Sequence, residues 1–276
     1  AEAHELIKRA DIVIHNFPPS LSQKFGLDYV SVKSLKADVI YCSITGFGSG
    51  AGAAMPGYDL LVQAMGGLMS VTGPAPGHPT KVGVALVDVI TGMHATIGIL
   101  AALNHRNSSG EGQEIEVNLL SSLLSAMVNQ ASSFVSGAVV PGILGNAHPS
   151  ISPYEVYQTS DRPIVVAVGN DGQFVKLCEE LGIAEIASEE RFKTNPDRVS
   201  NRFELNELLV NQFLTQGADH WWKALSISGV PCGPINAIDD AFELATSLEL
   251  NPIITIAQDG ELRRQIANPI TFSKTL

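Results

Sequence analysis

The feature that most constrains this sequence is one acidic residue, Asp88, inside a run of apolar and small residues. Residues 57–106 predict a glycine-punctuated helix, a Pro/Gly-rich turn and a long apolar helix, with Asp88 near the start of that long helix. From Leu86 to Ala101 the apolar residues recur at the spacing that buries one helix face. A carboxylate is almost never fully buried unless it is paired or used chemically. Asp88 is therefore the leading candidate for a functional residue.

Two interpretations of Asp88 stay open from the residues alone. An acid near a helix N-terminus is stabilised by the helix dipole, which would make its role structural. Alternatively, Asp88 is a nucleophile. An aspartate with the ordinary pKa of about 3.9 is ionised at neutral pH, and it attacks an activated acyl group, such as a thioester, without a general base. The small neighbours Gly83, Ala85, Thr91 and Gly92 would leave room for such a substrate.

The first half of the chain alternates between short apolar strands and helical segments. Strands are predicted at residues 11–15, 38–44 and 114–118. This rhythm is typical of a parallel, doubly wound α/β sheet, whose ligands bind beyond the carboxyl ends of the strands. Asn16 and Phe17 follow the first strand, and Gly46 begins the glycine-rich segment GFGSGAG after the second. Because that segment matches neither GxGxxG followed directly by a helix nor GxxxxGK[ST], a flexible loop near the site is favoured over a phosphate-binding loop.

Length and local composition predict two domains. A chain of 276 residues exceeds one typical core. We predict a large domain over residues 1–135, a Gly/Pro-rich linker over 136–150, and a smaller α+β domain over 151–246 that begins with a β-hairpin. Residues 247–276 are expected to return as strands toward the large domain. The chain begins inside a predicted helix and without Met, so we expect sequence to be missing upstream.

Composition argues against several classes of function. A net charge of −11 disfavours non-specific nucleic-acid binding. The sequence contains no uninterrupted run of about 18 apolar residues, so no membrane span is predicted. The three cysteines form no CxxC pair and the seven histidines show no HxxxH spacing, so no metal site is expected. Scattered cysteines fit a reducing compartment, and we expect the protein to be cytoplasmic.

Five longer segments follow one another along the chain: IHNFPPSLSQKFGLDY, IYCSITGFGSG, GYDLLVQAMGGLMSVTG, VGVALVDVITGMHATIGILAAL and GEGQEIEVNLLSS. In their order and spacing these segments resemble the class III CoA-transferase family, and the similarity covers nearly the whole chain. The family includes formyl-CoA transferase, carnitine CoA-transferase and the α-methylacyl-CoA racemases. The overall run looks most similar to its succinyl-CoA:glutarate branch, which favours a dicarboxylic acid as acceptor.

The resemblance implies a Rossmann-like large domain and a small domain in an interlocked homodimer. It also implies that Asp88 attacks an acyl-CoA to give a mixed anhydride and then an aspartyl-CoA thioester, from which a small carboxylic acid takes the CoA. Asn16 and Phe17 would line the CoA pocket, and Lys24 stands where relatives commonly place an arginine against the nucleotide phosphates. Acyl-CoA would be a substrate, and no tightly bound cofactor is expected.

The pair Tyr58 and Asp59 separates two activities within this family. Racemases carry His-Asp here and use the histidine as a proton-transfer base, for which a tyrosine with a pKa of about 10 is a poor replacement. CoA transfer is therefore favoured over acyl-CoA racemisation, and Tyr58 and Asp59 are expected to supply hydrogen bonds at the site. Relatives also carry a further strand–helix unit at the start and a further segment at the end. A catalytically silent acyl-CoA-binding fragment therefore remains a third interpretation.

Overall fold

The computed structural model describes residues 2–275. It divides into two compact units, Ala1–Gly145 and Asn146–Leu276. The boundary between them lies within residues 136–150, while the domain ranges drawn from the sequence stay predictions.

A parallel sheet forms the centre of the first unit. Its strands β1 (Ile12–His15), β2 (Ile40–Thr45) and β3 (Glu114–Asn118) lie in the order β1-β2-β3. The first half of β2 is buried, as expected for a strand with neighbours on both sides. The predicted mixed α/β class with parallel strands is confirmed. The doubly wound, Rossmann-like arrangement stays a prediction, because these three strands do not include a reversal of strand order.

Helices connect and cover these strands, and several begin or end where the sequence indicates. Asp28 caps one helix by accepting a hydrogen bond from the Ser31 amide, and Gly110 ends the longest helix in a left-handed conformation. The helices of this unit are α1 (Glu2–Ile7), α2 (Pro19–Lys24), α3 (Tyr29–Leu35), α4 (Asp59–Met65), α5 (Leu68–Val71), α6 (Leu86–Ser109), α7 (Leu119–Ala126) and α8 (Val128–Gly137).

The sequence predicts one helix over residues 119–135, and this prediction is wrong. The structure has two helices, α7 and α8, separated at Met127. Val128 has a φ of 37°, which a continuous right-handed helix does not accommodate. Apolar periodicity continues across the break, and for this reason the sequence pattern did not reveal it.

The chain between β2 and α4 forms a closed loop over residues 46–57. A Cβ atom placed on Gly46 would lie 2.5 Å from the Cα atom of Gly57, so the two backbones touch at the base of the loop. The Glu116 carboxylate on β3 accepts hydrogen bonds from the Ser49 amide and hydroxyl, each at 2.7 Å. These contacts close the loop like an Ω-loop and attach it to the sheet.

The second unit contains an antiparallel sheet and a separate hairpin. Strands β4 (Tyr154–Tyr157), β5 (Ile164–Ala167) and β6 (Cys232–Pro234) pair in that order, which confirms the β-hairpin predicted after residue 150. Strands β7 (Ile253–Gln258) and β8 (Glu261–Ile266) pair with each other. The return of residues 247–276 toward the large domain stays a prediction.

Helices of the second unit pack around one apolar core that includes Tyr157, Phe174, Leu205 and Leu225. The fully buried Arg198 is held by the carbonyls of three residues and by Asp171 at 2.7 Å, so its charge and donors are satisfied. The helices are α9 (Asp171–Glu180), α10 (Asn195–Ser200), α11 (Arg202–Phe213), α12 (Ala218–Ser228) and α13 (Ile238–Ser247), with a 3-10 helix at Ala184–Ser188.

Among the described residues, α6 is the one helix whose length and apolar composition would suffice to span a membrane. A core helix of a globular domain meets the same criterion. The expectation that the protein makes no membrane contact stays a prediction.

Candidate functional site

A cavity of about 870 Å³ opens at the carboxyl ends of β1 and β2. Three segments form most of its wall: residues 14–20 at the end of β1 and beyond it, residues of the 44–57 segment at the end of β2 and beyond it, and the first two turns of α6. This is the edge of a parallel sheet where ligands bind, so the cavity is the candidate site of the first unit.

The structure brings together four of the candidates predicted from the sequence. Asp88, Asn16, Phe17 and Gly46 all line the cavity. They come from three separate parts of the chain, and the parallel register of β1 with β2 places the first two segments side by side. Their proposed roles toward a ligand stay predictions.

The other three candidates lie outside the lining of this cavity. Lys24 is exposed at the end of α2, with its Nζ atom 5.9 Å from the centre of the Phe25 ring. Tyr58 precedes α4 and its side chain is 71% exposed. Asp59 points to the backbone of α6 instead. For all three, contact with CoA stays a prediction.

Asp88 lies in the first turn of α6 and is exposed to the cavity rather than buried among its apolar neighbours. Partial desolvation raises the pKa of its carboxyl group, and the negative charge of Asp59 raises it further. A carboxylate with a raised pKa is more basic and, when ionised, a stronger nucleophile. Asp88 is therefore accessible and chemically suited to attack an electrophile in the cavity.

Asp59 and Gln63 together hold the start of α6. The Asp59 Oδ2 atom accepts hydrogen bonds from the backbone amides of Val87 at 2.8 Å and Asp88 at 3.3 Å. Its Oδ1 atom accepts from the Gln63 side-chain amide at 2.5 Å, and Gln63 in turn accepts from the Val82 amide at 2.9 Å. Because the residue before α6 provides no side-chain cap, Asp59 supplies the missing acceptor from another helix.

Gln63 is fully buried despite its polar side chain, and its role was not predicted from the sequence. Its spacing from Asp59, four residues along one helix, was the available signal, since such pairs lie on the same helix face. The backbone amides that this pair binds lie before and at the start of α6, more than eighteen residues away along the chain. No local sequence pattern indicates that contact.

The cavity lining holds few charges. Its side chains include no lysine or arginine, and the titratable groups are Asp88 and His15. Burial lowers the pKa of His15, which keeps this ring neutral near physiological pH. Among residues 2–275 no group of three His, Cys, Asp or Glu side chains is placed to hold a metal ion. Among the described residues that line the cavity, Asp88 carries the one carboxylate.

Comparison with known proteins shows the family of this chain. The family model described as CoA-transferase family III matches residues 1–276. The chain is 42% identical over 284 residues to the succinate–glutarate CoA-transferase of Agrobacterium fabrum, covering all of this chain and 69% of that protein. It is 37% identical over 239 residues to the human succinyl-CoA:glutarate CoA-transferase, covering 86% of this chain and 55% of that protein.

Solved structures show the same similarity. A CAIB/BAIF family protein from Brucella suis superimposes with a TM-score of 0.84 at 40% identity, over 99% of this chain and 71% of that one. Rv3272 from Mycobacterium tuberculosis has a TM-score of 0.87 at 22% identity, over 99% of this chain and 74% of that one, which shows a shared fold. This chain belongs to CoA-transferase family III.

Proposed function

We propose that this protein transfers CoA from an acyl-CoA to a free carboxylic acid, with Asp88 as the nucleophile. The observation that carries the proposal is the position of Asp88, accessible in a large cavity at the carboxyl ends of parallel strands. The names of the similar proteins support the same reaction. Because those proteins are longer than this chain, the activity is proposed for the protein to which the chain belongs.

The first half of the reaction moves CoA onto the protein. An Asp88 carboxylate oxygen attacks the thioester carbonyl carbon, the carbon–sulfur bond breaks, and the CoA thiolate leaves a mixed anhydride behind. The thiolate then attacks the Asp88 carbonyl carbon of that anhydride. The donor acid departs as its carboxylate, and an aspartyl-CoA thioester remains.

The second half reverses these steps with another acid. The acceptor carboxylate attacks the aspartyl carbonyl carbon, the thiolate leaves, and a second anhydride forms. Attack of the thiolate on the acceptor's acyl carbon then releases the new acyl-CoA and regenerates the Asp88 carboxylate. No proton is consumed, so the raised pKa of Asp88 serves nucleophilic strength rather than acid catalysis. Both anhydrides require shielding from water, which the closed 46–57 loop on the cavity wall supports.

Side chains around the cavity would bind the two substrates. Asn16 and Phe17, at the end of β1, would contact CoA, and the backbone at Gly46 would line the path to the nucleophile. Lys24 would meet the nucleotide phosphates from outside the cavity, and Tyr58 would act as a hydrogen-bond donor. A dicarboxylic acid is the proposed acceptor, in line with the printed names of the relatives.

We further propose that the protein acts as an interlocked homodimer in the cytoplasm. A stripe of apolar side chains on α6 supports the dimer. Val89, Met93, Ile97 and Leu100 are 57, 57, 62 and 60% exposed, at spacings that place them along one face of the helix. Light scattering coupled to size exclusion would measure the assembly, and a monomer at micromolar concentration would refute it.

Trapping the covalent intermediate tests the proposed function. The protein is incubated with succinyl-CoA, reduced with borohydride and digested, and the peptide carrying residue 88 is analysed by mass spectrometry. We expect reduction of the aspartyl thioester to an alcohol at Asp88. The Asp88→Asn variant should show no such product, and Asp239→Asn, which changes an exposed acid in the first turn of α13, should label like the wild type.

Other outcomes would favour the alternatives. Deuterium exchange at the acyl α-carbon without transfer of CoA would indicate a racemase. Binding of succinyl-CoA without either reaction would indicate an acyl-CoA-binding protein. An unmodified Asp88 with several acyl-CoAs, in a protein that still transfers CoA, would refute the nucleophile assignment.

A further inference from the structure

His15 is held by hydrogen bonds at both of its ring nitrogens. The Phe17 backbone amide donates to Nδ1 at 3.1 Å, and Nε2 lies 2.6 Å from the Tyr41 hydroxyl oxygen. That hydroxyl also lies 2.6 Å from the Leu27 carbonyl oxygen. Because a carbonyl can only accept, the Tyr41 proton points to Leu27, and the Tyr41 oxygen accepts from His15. The ring is therefore neutral, with its proton on Nε2 and its Nδ1 lone pair directed at Phe17.

Aromatic rings pack around His15 and Tyr41. The rings of His15 and Phe17 are stacked, with their centroids 5.7 Å apart. The ring centroids of His15 and Tyr41 are 5.1 Å apart, and those of Tyr41 and Tyr29 are 5.7 Å apart. Tyr29 begins α3. The ring of His15 is thus fixed from one side by the α3 region, while its other side supports the turn that lines the cavity.

The contact with Phe17 controls the main chain at the cavity wall. A side-chain acceptor that binds the amide two residues ahead reproduces an Asx-turn, a contact that asparagine and aspartate usually make. Here the acceptor is a histidine, and the turn it fixes carries Asn16 and Phe17. The Phe17 side chain, 41% exposed, depends on this turn for its orientation toward the cavity.

We propose that His15 is a positioning residue for the ligand site: its neutral Nε2–H tautomer, set by Tyr41, fixes the turn that presents Asn16 and Phe17 to the CoA moiety. This inference rests on the proposed function, because it takes CoA as the ligand. His15 itself takes no part in the acyl-transfer steps. Its role is to keep the binding surface formed before the ligand arrives, which lowers the ordering cost of binding.

Burial of the ring governs the pH at which His15 is protonated and this hydrogen bond is lost. Asp88 lines the same cavity, and Asp28 and Glu114 act on Tyr41, whose pKa burial raises to about 12. Burial lowers the pKa of His15. Protonation would place a hydrogen on Nδ1 facing the Phe17 N–H, so an imidazolium loses this hydrogen bond. Affinity for CoA should therefore fall as the pH drops through the lowered pKa of His15, which lies below the ordinary histidine value of about 6.5.

Nitrogen-15 NMR of the histidine rings tests the tautomer directly, with His15→Asn used to assign the signal. At pH 7.5 we expect Nε2 protonated and Nδ1 unprotonated in the wild type. Tyr41→Phe should mix the two tautomers, since it removes the acceptor and keeps the ring. A dominant Nδ1–H tautomer, or a charged ring at pH 7.5, would overturn the inference.

Binding of CoA itself tests the positioning role. By calorimetry, His15→Phe, which keeps an aromatic ring without the acceptor, should raise the Kd for CoA roughly tenfold, the effect of one lost hydrogen bond. His15→Asn should recover most of that loss, because its side-chain oxygen reaches the Phe17 amide as in an Asx-turn. KM for the acyl-CoA should follow these values while kcat changes little. Thermal unfolding of each variant controls for stability.

Three patterns of results separate the two proposals. If His15→Phe and His15→Asn bind CoA equally, the positioning role is refuted whatever the catalytic result. If the wild type binds CoA but transfers none, the proposed function is refuted and the comparison of Kd values still decides the role of His15. If the wild type does not bind CoA, both proposals are refuted.

Discussion

Replacing Asp59 with alanine should loosen the start of α6, the helix that carries the proposed nucleophile. The Asp59 carboxylate is the hydrogen-bond acceptor for the Val87 amide at 2.8 Å and the Gln63 side-chain amide at 2.5 Å, and a longer bond reaches the Asp88 amide. Alanine offers none of these. The Gln63 amide would remain fully buried without its acceptor.

The cost follows from these contacts. A hydrogen bond to a charged acceptor contributes about 1.5–3 kcal/mol, and a buried donor left without a partner costs about 1 kcal/mol or more. Loss of a helix cap typically costs about 1 kcal/mol. Because the cap is the Val87 hydrogen bond itself, this cost is already included and is not added to the total. We expect the Asp59→Ala variant to lose about 3 kcal/mol in the free energy that holds the first turn of α6 closed.

Hydrogen exchange measured by mass spectrometry reports this local free energy. A peptide spanning residues 82–95 contains both amides that Asp59 accepts from. A loss of about 3 kcal/mol corresponds to exchange roughly a hundredfold faster at these amides when opening is at equilibrium. The matched control is Asp239→Ala in the first turn of α13, an exposed acid whose removal should change its own helix by less than about 0.5 kcal/mol.

The same substitution tests the electrostatic effect on Asp88. Removing the Asp59 charge removes one of the two causes that raise the pKa of Asp88, so the acid limb of kcat/KM should move to lower pH. Exchange at residues 82–95 no faster than in the wild type would refute the capping argument. An unmoved acid limb would refute the electrostatic one, and each result is independent of the other.

Three further outcomes are expected. Gly46→Ala places a Cβ atom within 2.5 Å of facing backbone and should raise KM for the acyl-CoA by about tenfold or more in steady-state assays, whereas Gly50→Ala, with open space around it, should behave like the wild type. Because the nucleophile must be ionised and the pKa of Asp88 is raised, kcat/KM should fall as the pH drops through a value above the ordinary aspartate pKa; a limb at or below that value would contradict the desolvation argument. The Asp161 carboxylate accepts hydrogen bonds from the backbone at the start of α12 and from nearby groups, and these bonds lower its pKa to about 2. Its stabilising contribution should therefore be present above the ordinary aspartate pKa and be lost as the pH falls toward 2. Thermal unfolding of Asp161→Ala should therefore show a lower Tm than the wild type at pH 7 and a smaller difference at pH 2, and equal Tm values at pH 7 would contradict a stabilising role for these hydrogen bonds.

Local sequence patterns determined the strands, the long helix and the position of Asp88 on it. Apolar runs flanked by turn residues predicted β1, β2 and β3, and alternating apolar residues around a turn predicted the hairpin of β4 and β5. Motif order established the family resemblance that the comparisons confirm. These features rest on neighbours within a few residues, and for this reason the amino-acid sequence alone was sufficient to predict them.

Tertiary structure alone decided which polar groups meet. Asp59 caps a helix that starts twenty-seven residues later, Glu116 binds a loop sixty-seven residues away, and the His15 ring meets the Tyr41 hydroxyl on the next strand. Gln63 and Tyr41, which are partners of Asp59 and His15, are buried, and burial removes water as a partner, so their polar groups pair within the protein. The sequence determined the chemistry that each side chain offers. The packing of distant segments determined the contacts through which that chemistry is used.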